Sequence, residues 1–295
     1  MGKLTLAQFN ALEAAASRHL GRPWKVRASR DLADLACHPA FLLSDGQYGI
    51  FAKFSAAANG RQQFEVELAG LEMLSRLAGV QTPDPIGVVP VEGGCLLVLE
   101  EVRAVDRGPR QWREIGRTLA AIHRVRGRRF GLETDGFYGP LPQDNSPMDD
   151  WVTFYAERRL RPALRLARDS GCLSAVLTGQ VERIIERLPD LCGPPVEPTL
   201  LHGDAQQNNW ISTSTGPVAI DPAVHYGHPE MDLACLDIFQ TVPEEVLAGY
   251  SEVQPIDPGF PERRSLWRTY GYLYSVAVEG ACYVPPLEAA VQAYL

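Results

Sequence analysis

The 295-residue chain has no CxxC pair, no surplus of positive charge and no apolar run of about 18 residues, and each absence removes a class of function. Its six cysteines, Cys37, Cys95, Cys172, Cys192, Cys235 and Cys282, are scattered. That distribution argues against a disulfide frame or a thiolate zinc site and for buried thiols in a reducing compartment. With 28 Lys and Arg against 36 Asp and Glu, the net charge is -8. A general nucleic-acid binder is therefore not expected, and an anionic ligand must be held by local groups. No membrane association is expected, and the opening MGKLTLAQFNALEAAASRHL lacks the basic region and continuous apolar core of an export signal. A cytoplasmic monomer is the resulting expectation. What is present is ordinary globular material, 45% hydrophobic, enough for one large core or two modest lobes. The arginine-rich stretches 124–129 and 158–168 read as solvated helix faces.

Local patterns divide the chain in two. Thr5 and Gln8 make a capping box ahead of Leu6, Phe9 and Leu12 at helical spacing. FLLSD and YGIFAKF flank Asp45-Gly46 and read as a hairpin over residues 41–54, with Lys53 near its end. RQQFEVELAGLEMLSRLAG places Phe64, Leu68, Leu71 and Leu74 on one helical face before Gly79. A second hairpin, IGVVPV and CLLVLEEV, turns at Glu92-Gly93-Gly94. Beyond Val102 the patterns are mainly helical, including DWVTFYAERRLRPALRLA and SAVLTGQVERIIERL. The expected fold is α+β and bilobal: residues 1–102 a small antiparallel sheet with one key helix, residues 103–295 a larger helical lobe.

The candidate chemistry lies in the second half. LLHGDAQQNNW puts His202, Asp204 and Asn209 in the order H-x-D-x-x-x-x-N after a short apolar run, and TGPVAIDPA follows with Asp221. The two runs predict a strand pair that converges the three oxygen-bearing side chains. Phosphoryl transfer from a nucleotide needs one carboxylate to orient and deprotonate the attacking hydroxyl. It also needs an amide and a second carboxylate to hold magnesium against the phosphates. A strand lysine fixed by a helical glutamate completes the set, and Lys53 followed by the helix bearing Glu65 and Glu67 supplies it. Each element alone is commonplace; their order along the chain is that of a kinase-like fold.

On the segments IFAKF, FEVELAGLEML, LLVLEEV, FGLETDGFYGPLPQDNSPMDDWVTFYAERRLRPAL, LLHGD and AIDPAVHYGHPEMDLACLDIF, the chain resembles the fructosamine (ketosamine) kinases. These belong to the aminoglycoside phosphotransferase and choline kinase group of protein-kinase-like folds. The resemblance implies a kinase using ATP and Mg2+, with Asp204 as catalytic base and Asn209 and Asp221 on the metal. It implies Lys53 on the phosphates with Glu67 as partner, Glu65 being the fallback because it points to another helix face. It further implies that the backbone from Glu100 to Val102 meets adenine, that Asp232 anchors the catalytic loop, and that a ketosamine, small or protein-bound, is the acceptor. The chain departs from the family pattern in two places. Ala205, Gln206, Gln207 and Asn208 replace a loop with tryptophan and glycine and are expected to face the acceptor. Residues 28–43 contain no glycine, so Ser29, His38 or backbone amides are left to cover the phosphates.

Other readings compete. His202, His225 and His228 with Asp204, Asp221 and Asp232 suggest a metal hydrolase, yet no familiar zinc spacing occurs and the first-half lysine and glutamate go unused. For His202 a buried imidazole bonded to nearby backbone is the plainer role, as is loop bonding for the other two. Gln143, Asp144 and Asn145 either reach the acceptor or form a turn. Trp151, Phe154 and Tyr155 either stack on a sugar or pack the core. Cys37 is either a redox-sensitive or an ordinary thiol. Another hydroxyl acceptor, such as an aminoglycoside, and a catalytically silent nucleotide-binding protein are the functional alternatives.

Overall fold

The opening helix begins where its side chains replace missing backbone partners. Thr5 Oγ1 accepts from the Gln8 amide and Gln8 Oε1 accepts from the Thr5 amide, capping α1 (Leu6–Leu20). The computed structural model describes residues 4–32 and 38–295; Cys37 and the middle of the glycine-free stretch lie outside the described residues. β1 (Ala28–Asp31), β2 (Ala40–Ser44), β3 (Gly49–Ser55), α2 (Gly60–Ala78), β4 (Pro85–Val91) and β5 (Gly94–Glu100) follow. The strands form one antiparallel sheet in the order β1-β2-β3-β5-β4. The β2–β3 turn closes because Asp45 Oδ1 accepts from the amides of Gln47 and Tyr48 while Gly46 takes a φ of +95°. This register sets Lys53 opposite Ala40 on one side and Leu97 on the other.

Alternation along the strands gives the sheet two apolar faces. Leu96 and Val98 join Phe41, Leu43, Ile50 and Ala52 against Leu12 and Ala16 of α1. Cys95, Leu97 and Leu99 face the other way, onto Phe64 and Leu71 of α2. Gly79, in the left-handed conformation, ends α2 with its amide on the Ser75 carbonyl.

The rest is mainly helical: α3 (Pro109–Ile122), the hairpin of β6 (Gly136–Tyr138) and β7 (Leu141–Gln143), α4 (Trp151–Phe154), α5 (Arg161–Asp169), α6 (Ala175–Glu186) and α7 (Leu188–Leu191). Then come β8 (Thr199–Leu201), β9 (Trp210–Thr213), β10 (Gly216–Ala219), β11 (His225–Gly227), α8 (Glu230–Cys235), α9 (Glu245–Ser251), α10 (Phe260–Glu279) and α11 (Val284–Gln292). A continuous core joins these helices and includes Trp151, Phe154 and Tyr155, whose rings stack 5.4–5.7 Å from that of Trp151. Those aromatics pack the interior.

Three expectations need correction. The strands that carry the candidate site do not pair with each other: β8 pairs with β11, and β10 pairs with β9. WIST, directly after Asn209, is itself a strand and captures β10 in a hairpin. The segment 151–169 is not a plain α-helix, because Tyr155–Leu160 is a π-helical turn closed by Arg161 N–H on the Ala156 carbonyl. Pro162 explains it: with no N–H it leaves the Arg158 carbonyl unpaired, and the Arg159 guanidinium donates there at 3.0 Å instead. The cysteines are not uniformly buried, since Cys95 and Cys192 are interior but Cys282 is exposed. No helix among the described residues is long and apolar enough to cross a membrane.

Phe64, fully buried between α2 and β5, tests this packing. Phe64→Ala should lower the unfolding free energy by about 3–5 kcal/mol in denaturant titration; a loss below about 1 kcal/mol would mean that α2 does not depend on this contact.

Candidate active site

A lysine on the central strand of a sheet, facing a helix, must be neutralised or remain unburied. Lys53 is 6% exposed. Its Nζ donates to Glu67 Oε1 at 2.8 Å and to Asp221 Oδ1. Burial works against the ammonium, but the charges of Asp221 and Glu67 outweigh it and raise its pKa. Burial pushes the Glu67 carboxyl up against the pull of Lys53, whereas at Asp221 the lysine overcomes burial and holds the carboxyl low. Glu65 instead pairs with Arg61 on the exposed face of α2, so the two glutamates separate as helix geometry requires. Asp221 has a φ of +53°, the one non-glycine residue with positive φ among the described residues. Such a conformation costs about 1–3 kcal/mol, and Asp221 keeps it in contact with Lys53.

The loop that follows β8 hangs from Asp232 on α8. Its Oδ2 accepts from the His202 amide at 2.7 Å and its Oδ1 from the Gly203 amide at 3.0 Å. His123 Nε2 lies 3.1 Å from Oδ2, and its Nδ1 lies 2.8 Å from the Tyr250 hydroxyl. A carboxylate only accepts, so Nε2 carries the proton. Burial opposes the charge on Asp232, but the contacts with His123 and the His202 amide hold its carboxyl below the usual range. The His202 carbonyl accepts from the Ala223 amide at 2.8 Å, and its buried ring takes the Asp204 amide on Nδ1 at 3.3 Å. Gly203, at a φ of +83°, bends the chain so closely past Ala223 that a Cβ would stand 1.9 Å from the Ala223 carbonyl oxygen.

This bend delivers Asp204. Asn209 Nδ2 donates to both Asp204 Oδ2 and the Asp204 carbonyl at 2.8 Å. With both amide hydrogens spent, Asn209 Oδ1 remains as an acceptor, meeting Gln206 Nε2 only at 3.5 Å. The Asp221 carboxylate is 39% exposed. Two hard oxygen donors, one of them ionised, suit a magnesium ion that takes its remaining ligands from phosphate and water. Burial lifts the Asp204 carboxyl to about 7, with Asn209 opposing and Asp221 adding to the rise.

Several expected contacts go elsewhere. Gln207 is buried and donates to Gln240 Oε1 at 2.9 Å; it anchors the loop and does not face an acceptor. Gln206 turns back toward Asn209. Gln143 and Asn145, each 1% exposed, bond to the Tyr270 hydroxyl and to Arg159, while Asp144 spends its carboxylate on the Ser146 amide and Arg158. The amides of Glu100 and Glu101 are committed to Asp84 and Gly49 of the sheet, which leaves the Val102 amide without a partner among the described residues. Ser29 sits exposed on edge strand β1. His38 packs on Phe64 with ring centroids 5.5 Å apart, close enough to Lys53 that burial and that charge both lower its pKa.

The histidines do not make a metal centre. Burial drives His225 and His228 down to about 3, with Nδ1 of His225 on the Ala223 carbonyl and Nδ1 of His228 accepting the Glu230 amide. Among the described residues no three His, Cys, Asp or Glu side chains gather as a metal site.

Sequence reasoning missed His123, Tyr138, Cys235 and Arg107. The Tyr138 hydroxyl stands 3.4 Å and the Cys235 thiol 3.7 Å from Asp204 Oδ1. Arg107 donates to the carbonyls of Gln207 and Trp210 and so braces the loop from outside. Tyr138 and Cys235 lie inside the quoted family blocks but carried no assigned role there, while His123 and Arg107 lie in none of those blocks.

The model of the fructosamine kinase family matches residues 8–295. The chain belongs to the fructosamine kinase family. It is 31% identical over 283 residues to a Synechocystis protein carrying the name ketoamine kinase, covering 94% of this chain and 93% of that one. It is 33% identical over 242 residues to the chloroplastic protein-ribulosamine 3-kinase of Arabidopsis thaliana, covering 80% and 73%. Among solved structures, a Thermobifida fusca protein described as a fructosamine-3-kinase superimposes with a TM-score of 0.83 at 32% identity, over 96% of this chain and 98% of that one. An aminoglycoside phosphotransferase gives 0.62 at 15% identity, over 95% and 98%, a likeness of fold. The fructosamine kinase fold here is thus α+β and protein-kinase-like, and the chain is a phosphotransferase acting on an alcohol group.

Gly203→Ala tests the bend that presents Asp204. It should destabilise the protein by at least about 1–3 kcal/mol from backbone strain alone, read by thermal or chemical denaturation. Wild-type stability would show that the turn is not pinned between Asp232 and Ala223.

Proposed function

We propose that the cleft binds Mg-ATP and transfers its terminal phosphoryl group to a sugar hydroxyl of a ketosamine, a reaction that marks glycation adducts for removal. The observation that carries this reading is the convergence of two pairs, Lys53 with Asp221 and Asn209 with Asp204, drawn from the sheet and from the loops around β9 and β10. We take residues 1–102 as the nucleotide-side lobe and residues 103–295 as the acceptor-side lobe. Lys53, held by Glu67, meets the phosphates; the Val102 amide and nearby backbone meet adenine; Asn209 Oδ1 and Asp221 hold magnesium. Bound magnesium neutralises phosphate charge and ATP supplies the transferred group. Asp204 orients the acceptor hydroxyl and takes its proton, Asn209 fixes the carboxylate, and Asp232 with Gly203 fixes the loop.

The acceptor side favours a ketosamine over an aminoglycoside. A polycationic antibiotic calls for unpaired carboxylates. The small cavity beside Asp204 is lined by Tyr138, Asp232, Cys235, Arg268 and Tyr270; the Asp232 carboxylate is already taken by the amides of His202 and Gly203, and neighbouring Asp237 is matched by Arg264 and Arg268.

Purified protein should consume ATP with magnesium and fructosyl-lysine or ribulosyl-lysine, but not with an aminoglycoside. Asp204→Asn should reduce turnover by at least about a hundredfold while nucleotide affinity holds. Because the base must be ionised and its carboxyl sits at about 7, kcat/KM should fall about tenfold per pH unit below that value. Turnover only on the aminoglycoside, or a flat acid limb with full activity in Asp204→Asn, would contradict the assignment.

A further inference from the structure

The two oxygens of Asp204 are unequally served. Oδ2 accepts from Asn209 at 2.8 Å, an ordinary distance for a bond to a carboxylate. Among the described residues Oδ1 meets only the Tyr138 hydroxyl at 3.4 Å and the Cys235 thiol at 3.7 Å. Hydroxyl donors normally close to about 2.7–2.8 Å, and a thiol is a weak donor. Oδ1 is therefore the under-bonded oxygen, the one with room for an incoming hydroxyl, and that hydroxyl would share it with Tyr138.

Tyr138 is held as a fixed group. Its ring packs against those of Tyr270 and Tyr274, with centroids 5.3 and 5.1 Å away. Aromatic neighbours of this kind restrict the ring without competing for its hydroxyl. It ends β6, and the turn behind it runs through Gly139 at a φ of +55°. The Gly139 carbonyl accepts from Gln63 Nε2 of α2 at 2.7 Å. Gln63 lies one helical turn before Glu67, the partner of Lys53, so one face of α2 contacts both the lysine pair and the hairpin. Burial and the charge of Asp204 raise the Tyr138 hydroxyl well above its ordinary value, so it remains a proton donor throughout the working pH range.

We propose that Tyr138 is the positioning residue of the acceptor site: its hydroxyl shares Oδ1 of Asp204 with the acceptor hydroxyl and aims that oxygen, while the Gln63–Gly139 bond ties its hairpin to the nucleotide-side helix. This rests on Asp204 being the base in the reading above, and it gives the acceptor a tyrosine wall on that side. Removal of the Tyr138 hydroxyl should leave Oδ1 without its fixed hydroxyl donor and so worse aimed at the incoming hydroxyl.

The test is Tyr138→Phe, which keeps the ring, beside Cys235→Ala, which removes the weaker donor. With fructosyl-lysine, kcat should fall about tenfold in Tyr138→Phe, the lower end of what a hydrogen bond to a charged group supplies, and less in Cys235→Ala. The KM for ATP and the melting temperature should stay at wild-type values. A wild-type kcat in Tyr138→Phe would overturn the proposal. If the wild type turns over no ketosamine, the substrate reading fails instead, and the same kcat comparison is read on its basal magnesium-dependent ATP hydrolysis, where water takes the acceptor's place on Oδ1.

Discussion

A single buried ammonium organises the molecule. Lys53 lies inside the sheet with its charge shared between Glu67 and Asp221, and an unpaired charge there would cost several kcal/mol. Folding is thereby obliged to bring three distant segments together. β3 must hold its register with β2 and β5, α2 must lie across the sheet with Glu67 inward, and the chain after β10 must turn through a strained residue at Asp221. The charge is ionised, desolvated and fixed before any ligand arrives, which is what the phosphate-binding role we propose for it requires.

The second constraint is Asp232, which does for the loop what Glu67 does for the lysine. By taking the amides of His202 and Gly203 it makes a left-handed bend affordable inside the core and fixes the direction in which Asp204 leaves it. Its Oδ2 also accepts from Nε2 of His123, at the end of α3, so the helical core and the loop share one polar network. Around it the rings of His202, His225 and His228 are held neutral by burial, and their Nε2 atoms have no hydrogen-bond partner among the described residues.

How much of this was legible in the sequence depends on the range of each interaction. The α1 cap, the Asp45-Gly46 turn and the end of α2 at Gly79 are local, and their residues announced them. The choice of Glu67 over Glu65 came with the family resemblance, helix geometry saying only that the two face different ways, and Arg61 now explains where Glu65 goes. The family blocks carried the order of Lys53, Asp204, Asn209 and Asp221. Long-range contacts between ordinary residues left no trace: Tyr138 meets Asp204 across 66 positions, and His123 meets Asp232 across 109. Gln143, Asn145 and Gln207 looked like acceptor-facing polar loop residues because nothing nearby in sequence shows their buried partners, Tyr270, Arg159 and Gln240. The hairpin bearing Gln143 does reach Asp204, but through the tyrosine on its other strand.

The central claim is that phosphate leaves ATP for a sugar oxygen and not for water. Phosphorus-31 NMR of the reaction with magnesium, ATP and fructosyl-lysine tests it directly, because a sugar phosphomonoester and inorganic phosphate give separate resonances. The account predicts that a phosphomonoester appears in step with ADP and is absent with Asp204→Asn. ADP accompanied only by inorganic phosphate, in equal amounts with and without the ketosamine, would contradict it.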